Sequence, residues 1–240
     1  MRLAFAAGLA LLACCLDVVR ANTEKVIFLG PETVNVPATP PTLDDLRLDV
    51  LTPDEWSKRV ELQASFPTPD SPLGTTTWLL LNILTQGQRY ELRVCWAATQ
   101  PTAFALDVFE LPVVWDTPEL ISSLATYASL RRSDQDDVDA HEASRRANQE
   151  HENSLLFLRV SASADYFTDN DTLMAQVEPV SVDLILDPFL FNVLPRSLVP
   201  TVAYVVFVAF SAWFLSKRIL AWIQPVLATE GKSAEKKKRL

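Results

Sequence analysis

Histidine and cysteine, the side chains best suited to acid–base, nucleophilic or metal chemistry at neutral pH, number two and three in this 240-residue chain, and their spacing to the carboxylates defines no reactive centre. The two histidines, His141 and His151, fall in one charged stretch beside the acidic run Asp134, Asp136, Asp137 and Asp139. An EF-hand calcium loop needs a central glycine and a distal bidentate glutamate, and this run has neither. There is no HExxH pair and no second cysteine near the histidines, so the zinc-site spacings are missing too. A serine hydrolase triad holds its histidine rigidly beside the nucleophile. Here the histidines sit in a polar stretch, and no G-x-S-x-G occurs. Five glycines form no phosphate-cradling loop, and a formal net charge of −9 argues against nucleic acid as a partner. Catalytic, cofactor and metal residues are therefore expected to be none.

Other residues carry modification or address chemistry. Asn170, Asp171 and Thr172 form the one N-x-S/T sequon, which makes Asn170 the expected glycosylation site on an exposed loop. Lys237 and Lys238 stand fourth and third from the C-terminus, the spacing of a dilysine retrieval signal read by the COPI coat. Of three cysteines, Cys14 and Cys15 lie in an N-terminal apolar run, leaving Cys95 with no partner for an internal disulfide. Cys95 falls within a strand pattern and is expected to act as a small buried hydrophobe.

The elements that carry these residues follow from hydropathy and charge. Residues 1–21 read as a cleaved signal peptide: Arg2, an uncharged apolar run, then Val19, Arg20 and Ala21 at the cleavage site. Residues 198–216 carry no charge and are long enough for a transmembrane helix. The tail, 217–240, holds seven basic residues against Glu230 and Glu235, whereas the segment before the span is strongly acidic. Basic flanks stay cytosolic, so 22–197 is expected to be the lumenal domain of a single-pass type I protein, and the dilysine tail implies retention in the endoplasmic reticulum. In the tail, Pro225 is expected to interrupt an apolar stretch that begins at Ile219.

The domain at 22–197 reads as mainly β, with antiparallel sheets in a β-sandwich. Over 58–66, Val60, Leu62, Ala64 and Phe66 alternate with Arg59, Glu61, Gln63 and Ser65, the period of a half-buried strand. A continuous apolar run at 78–84, a turn at 85–88 and renewed alternation at 89–96 predict a hairpin. Further strands are expected at 25–29, 103–111, 154–163 and 176–186. Residues 117–132 predict a helix, with Pro118 in its first turn and Leu120, Ile121, Leu124, Tyr127 and Leu130 at helical spacing. Residues 133–153 are charge-dense and predict an exposed, mobile insertion.

Two stretches are more distinctive. Residues 22–31 (NTEKVIFLGP) open the mature chain, and 89–104 (RYELRVCWAATQPTAF) contain the run Cys95, Trp96, Ala97, Ala98, Thr99, Gln100, Pro101 and Thr102. With the signal, the single span and the lysine tail, they resemble the fungal co-activator subunit of GPI mannosyltransferase II. The resemblance implies a non-catalytic accessory subunit of a polytopic mannosyltransferase of the PIG-V type. That enzyme adds the second mannose to the GPI anchor precursor, and the catalytic residues belong to it. Two other readings share this layout: a p24-like cargo receptor cycling between the endoplasmic reticulum and Golgi, and an accessory subunit of the first GPI mannosyltransferase. The p24 proteins usually carry a disulfide and a coiled coil before the membrane. Here a lone lumenal cysteine and the absence of heptads before the span speak against that reading.

Overall fold

The computed structural model describes residues 22–36, 42–134 and 151–238, with side chains over 22–36, 42–131 and 152–224. The expected signal peptide therefore lies outside the described residues. So do His141, Asp136, Asp137 and Asp139. The chain divides into two compact units, Met1–Pro188 and Phe189–Leu240.

The first unit is mainly β. One sheet runs β1 (Thr23–Leu29), β6 (Arg89–Trp96) and β9 (Val180–Leu190), with β4 (Ser57–Leu62) on the far side of β9. The other is centred on β8 (His151–Ala164). It pairs β5 (Thr75–Leu84) on one side, and β2 (Val34–Val36) and β7 (Thr102–Phe109) on the other. The ladders are antiparallel except where β3 (Asp49–Leu51) joins β5 in parallel.

Period-two patterning decides which side chains meet. Val60 and Leu62 of β4, Tyr90, Leu92 and Val94 of β6, and Val182, Leu184 and Leu186 of β9 all join one hydrophobic cluster. Leu79 and Leu81 of β5, and Leu156, Leu158 and Val160 of β8, enter the same cluster from the second sheet. The intervening side chains of these central strands are apolar too. Trp78, Leu80, Leu155 and Phe157 form a second cluster with Val114, Leu120 and Leu124 of two helices. Burial on both faces explains why 78–81 is a continuous apolar run rather than an alternating one. The helices are α1 (Leu111–Asp116) and α2 (Pro118–Asp134), and the Trp78 indole N–H donates to Ser123 Oγ at 3.1 Å.

Several expectations need correction. The stretches at 78–84 and 89–96 form no hairpin, because β5 and β6 lie in different sheets. The turn between them is real: Gln88 N donates to Thr85 O at 3.1 Å, and Gly87 takes φ +73°. It carries the chain from one sheet to the other and is held on the end of β1 by Gly30 N to Gln88 O (2.8 Å) and Gly87 N to Gly30 O (2.9 Å). A Cβ on Gly30 would stand 2.2 Å from Thr85 O, so only glycine lets these segments approach. Tyr90, stacked on Phe28, accepts the Thr85 N–H on its hydroxyl at 2.9 Å.

The helical prediction at 117–132 is met by α2, but only part of its apolar set faces inward. Leu120, Leu124 and Ala128 are buried, whereas Ile121 and Leu130 are exposed. The expected insertion shrinks at both ends, since α2 runs to Asp134 and β8 begins at His151. His151 pairs with Val36 in the strand ladder, so it belongs to the sheet rather than to a loop.

The second unit contains the end of β9, a short return strand β10 (Leu194–Pro195), a 3-10 turn at Arg196–Leu198 and α4 (Val199–Lys238). Helix α4 keeps helical backbone past Pro225, contrary to the expected interruption. A proline removes its own N–H from the ladder, which weakens a helix locally without having to end it. The two further helical segments are short: the 3-10 turn Leu43–Leu46, and α3 (Asp171–Ala175) in the first unit.

Candidate interaction site

The two stretches singled out in the sequence are neighbours. Strand β1 pairs with β6 along its whole length, from Thr23 opposite Cys95 to Leu29 opposite Arg89. The run from Cys95 to Thr102 then forms a corner that leaves β6 and enters β7 in the other sheet. Trp96 and Phe104 meet edge to face across it with ring centroids 4.7 Å apart. Ala97, Ala98 and Thr99 are exposed at the tip, where Gln100 N donates to Ala97 O at 3.0 Å. The Gln100 side chain uses both ends of its amide on backbone leading into β9: Nε2 donates to Pro179 O (3.1 Å), and Oε1 accepts from Ser181 N (3.3 Å). Pro101 O accepts from Asp165 N, and Thr102 Oγ1 donates to Gln100 O. Gln100 and Thr102 thus tie the strand ends together, while Ala97, Ala98, Thr99 and Pro101 are offered to solvent.

Cys95 is half-buried on the opposite face of β6 from Val94, not inside the cluster as expected. Its Sγ lies 3.6 Å from Thr23 Oγ1, which donates to it. On that same face runs a ladder of charges set by strand register. Glu91 stands opposite Asp187, Lys25 opposite Arg93, and Cys95 opposite Asp183. Lys25 Nζ is 3.1 Å from Glu91 Oε2, while Arg93 reaches Glu91 Oε1 at 3.4 Å and Asp187 Oδ2 at 3.5 Å. The Glu91 and Asp187 side chains are only 8 % and 5 % exposed, so two nearly buried carboxylates on adjacent strands are held against the part-buried Arg93 and the exposed Lys25. Arg59 makes a two-point pair with Asp183 at the exposed end of the row, at 2.7 and 2.9 Å. The hydrogen bonds and charge of Arg59 hold the Asp183 carboxyl below its ordinary pKa.

A second ionic group fastens α2 to the β framework. Asp49 of β3 accepts from Lys58 of β4 at 2.6 Å and from Arg131 of α2 at 2.8 Å. Burial alone would raise the Asp49 carboxyl, but the two cations outweigh it and hold its pKa below the ordinary value. Arg131 also donates to the Tyr127 hydroxyl at 3.1 Å. These are structural ion pairs on element junctions. Among the described residues, no three His, Cys, Asp or Glu side chains gather as metal ligands would.

Asn170 is exposed and caps the first turn of α3, its Oδ1 accepting from Thr172 N at 3.0 Å. Lys237 and Lys238 fall on the last described turn of α4. Nothing in the sequence pointed to the Glu91–Asp187 pair or the Gln100 clamp, because their partners lie far along the chain and meet only through register. In the second unit, Arg196–Gln224 contains an 18-residue window of mean hydropathy 2.1, and the side chains of 201–224 are all exposed. This segment is long and apolar enough to cross a membrane. Lys217 follows the uncharged run 198–216 and places its Nζ 4.2 Å from the centre of the Trp213 ring. No protein-family model, curated protein or solved structure matches the chain.

Proposed function

We infer that this chain is a non-catalytic subunit of an endoplasmic-reticulum membrane complex, stabilising or activating the mannosyltransferase that adds the second mannose to the GPI anchor precursor. The observation that carries the reading is the pairing of β1 with β6: the two stretches bearing the resemblance form one continuous piece of the fold. In this reading the first unit is a lumenal β-sandwich glycosylated at Asn170, α4 is the single type I span, and the basic tail is cytosolic. Lys237 and Lys238 return the protein from the Golgi through COPI. The partner is the polytopic PIG-V-type catalytic subunit, which supplies the reacting groups. Support comes from the resemblance-bearing strands and their neighbour β9, where the buried Glu91 and Asp187 carboxylates are neutralised by Arg93 and Lys25 in structural ion pairs.

The test is conditional depletion of the protein with analysis of labelled GPI lipids. Accumulation of the intermediate bearing one mannose, with co-purification of a polytopic mannosyltransferase, is the expected result. An unmannosylated intermediate would assign the chain to the first mannosyltransferase instead. Normal intermediates together with enrichment in transport vesicles would move it to the cargo receptors.

A further inference from the structure

The β9–β10 connection places its least water-compatible side chains where solvent would be most costly. Phe191 is 98 % exposed and Val193 77 %, with Leu190 and Leu198 also exposed beside them. The turn is tight: Val193 N donates to Leu190 O at 3.1 Å, and Leu190 pairs with Leu194. Both central residues are left-handed, Phe191 at φ 52° and Asn192 at φ 58°. Asparagine adopts this backbone readily, but a bulky residue does so only under strain, and turns of this kind ordinarily use glycine. Phe191 therefore incurs a conformational penalty as well as a solvation penalty. A soluble turn would have no reason to bear either.

Position along the chain identifies what covers the tip. Arg196 is the one charged residue between Asp187 and Lys217. Residues 199–217, at about 1.5 Å per residue, make a rod of roughly 28 Å, close to the ~30 Å hydrocarbon thickness of a bilayer. Arg196 then marks the headgroup level, and the turn lies only a few residues before it in the same compact unit. We propose that the Phe191–Val193 turn is a second membrane anchor, dipping into the headgroup–acyl boundary of the leaflet that α4 enters. Its occupant is lipid, and the aromatic ring and valine supply the apolar surface that such interfacial segments bury. The inference rests on the reading of α4 as a span.

The experiment uses the full chain in phosphatidylcholine liposomes, with Cys14→Ser, Cys15→Ser and Cys95→Ser leaving single sites for an environment-sensitive fluorophore. Labels go on Phe191→Cys, on Val193→Cys as an independent variant should the first fail to fold, and on Val205→Cys within the span. The expected result is blue-shifted emission at 191 and 193, quenched by lipids with a nitroxide near the headgroup and shielded from aqueous iodide. The label at 205 should be quenched by nitroxides deep in the acyl chains. Iodide-accessible labels at 191 and 193, with 205 still quenched, would overturn the anchor while leaving the span intact. Protection at 191 and 193 only after a partner protein is added would overturn it too, assigning the turn to a protein contact. Loss of quenching at 205 would remove the span itself.

Discussion

Replacing Arg93 with methionine tests the charge ladder most directly. Arg93→Met keeps the apolar length of the side chain and removes the cation that bridges Glu91 and Asp187. These two residues are directly opposed across β6 and β9, so their carboxylates are neighbours. Two like charges about 5 Å apart at an effective dielectric near 20 repel by about 3 kcal/mol. Breaking a buried ion pair by deleting one partner typically costs ~3–5 kcal/mol. Lys25 still serves Glu91, and the Arg93 side chain is itself 25 % exposed. Together these place the expected loss at about 2–4 kcal/mol. The assay is urea unfolding of the detergent-solubilised chain followed by tryptophan fluorescence, with the midpoint converted through the measured m-value. Adding Glu91→Gln and Asp187→Asn to Arg93→Met should recover at least about 1.5 kcal/mol, because the repulsion disappears with the charges. The exposed control Arg59→Met should leave the midpoint within error. An unchanged midpoint for Arg93→Met, or no recovery on neutralising the carboxylates, would refute the claim that the ladder is a coupled, desolvated network.

Other outcomes are equally direct. Asp49 has a folded pKa below its unfolded value of about 3.8, so its contribution is fully present above pH ~4 and is lost as pH falls through the folded pKa. Asp49→Asn should flatten the fall in unfolding midpoint over that acidic window. Leu124→Ala, which empties a fully buried position between α2 and the sheet, should cost about 2–5 kcal/mol in the same assay. Gln100→Ala forfeits two hydrogen bonds to the entry of β9 and should cost about 1–2 kcal/mol, whereas Ala98→Ser at the exposed tip should be neutral. Asn170→Asp keeps the acceptor that caps α3 but removes the amide that the sequon offers for glycosylation. It should abolish one endoglycosidase-sensitive gel shift while leaving the unfolding midpoint in place.

What could be read from the sequence was local. The faces of β4, β6 and β9 followed from strict alternation, as at Val180, Val182, Leu184 and Leu186, because a pleated strand exposes every second side chain regardless of its neighbours. Neighbours themselves were not legible. The turn at 85–88 looks the same whether it closes a hairpin or crosses between sheets, and only the glycine-dependent docking of Gly30 on Thr85 decides it. Helix α1 left little trace, since Pro112, Val113 and Val114 are weak helix formers that packing against the sheet overrides. Ile121 and Leu130 fitted a helical stripe numerically yet fell off the buried face. Glu91 and Asp187 resembled ordinary solvated charges until register placed them side by side. The Gln100 contacts were hidden for the same reason, with Pro179 and Ser181 lying 79 and 81 positions away.

The central place of β9 has a consequence for biogenesis. Strands β1, β4 and β6 are made early, but β6 and β4 both need β9 as their ladder partner. At roughly 5–20 residues per second, the ribosome would finish β9 about 8–30 s after β1. During that interval the apolar faces of Leu62, Leu92 and Val94 lack their final cover. The strand that closes the sheet ends only a few residues before α4 begins. Sheet closure and the emergence of the apolar helix are thus nearly simultaneous events in synthesis. A chaperone that holds the early strands would have to let go just as the helix leaves the ribosome.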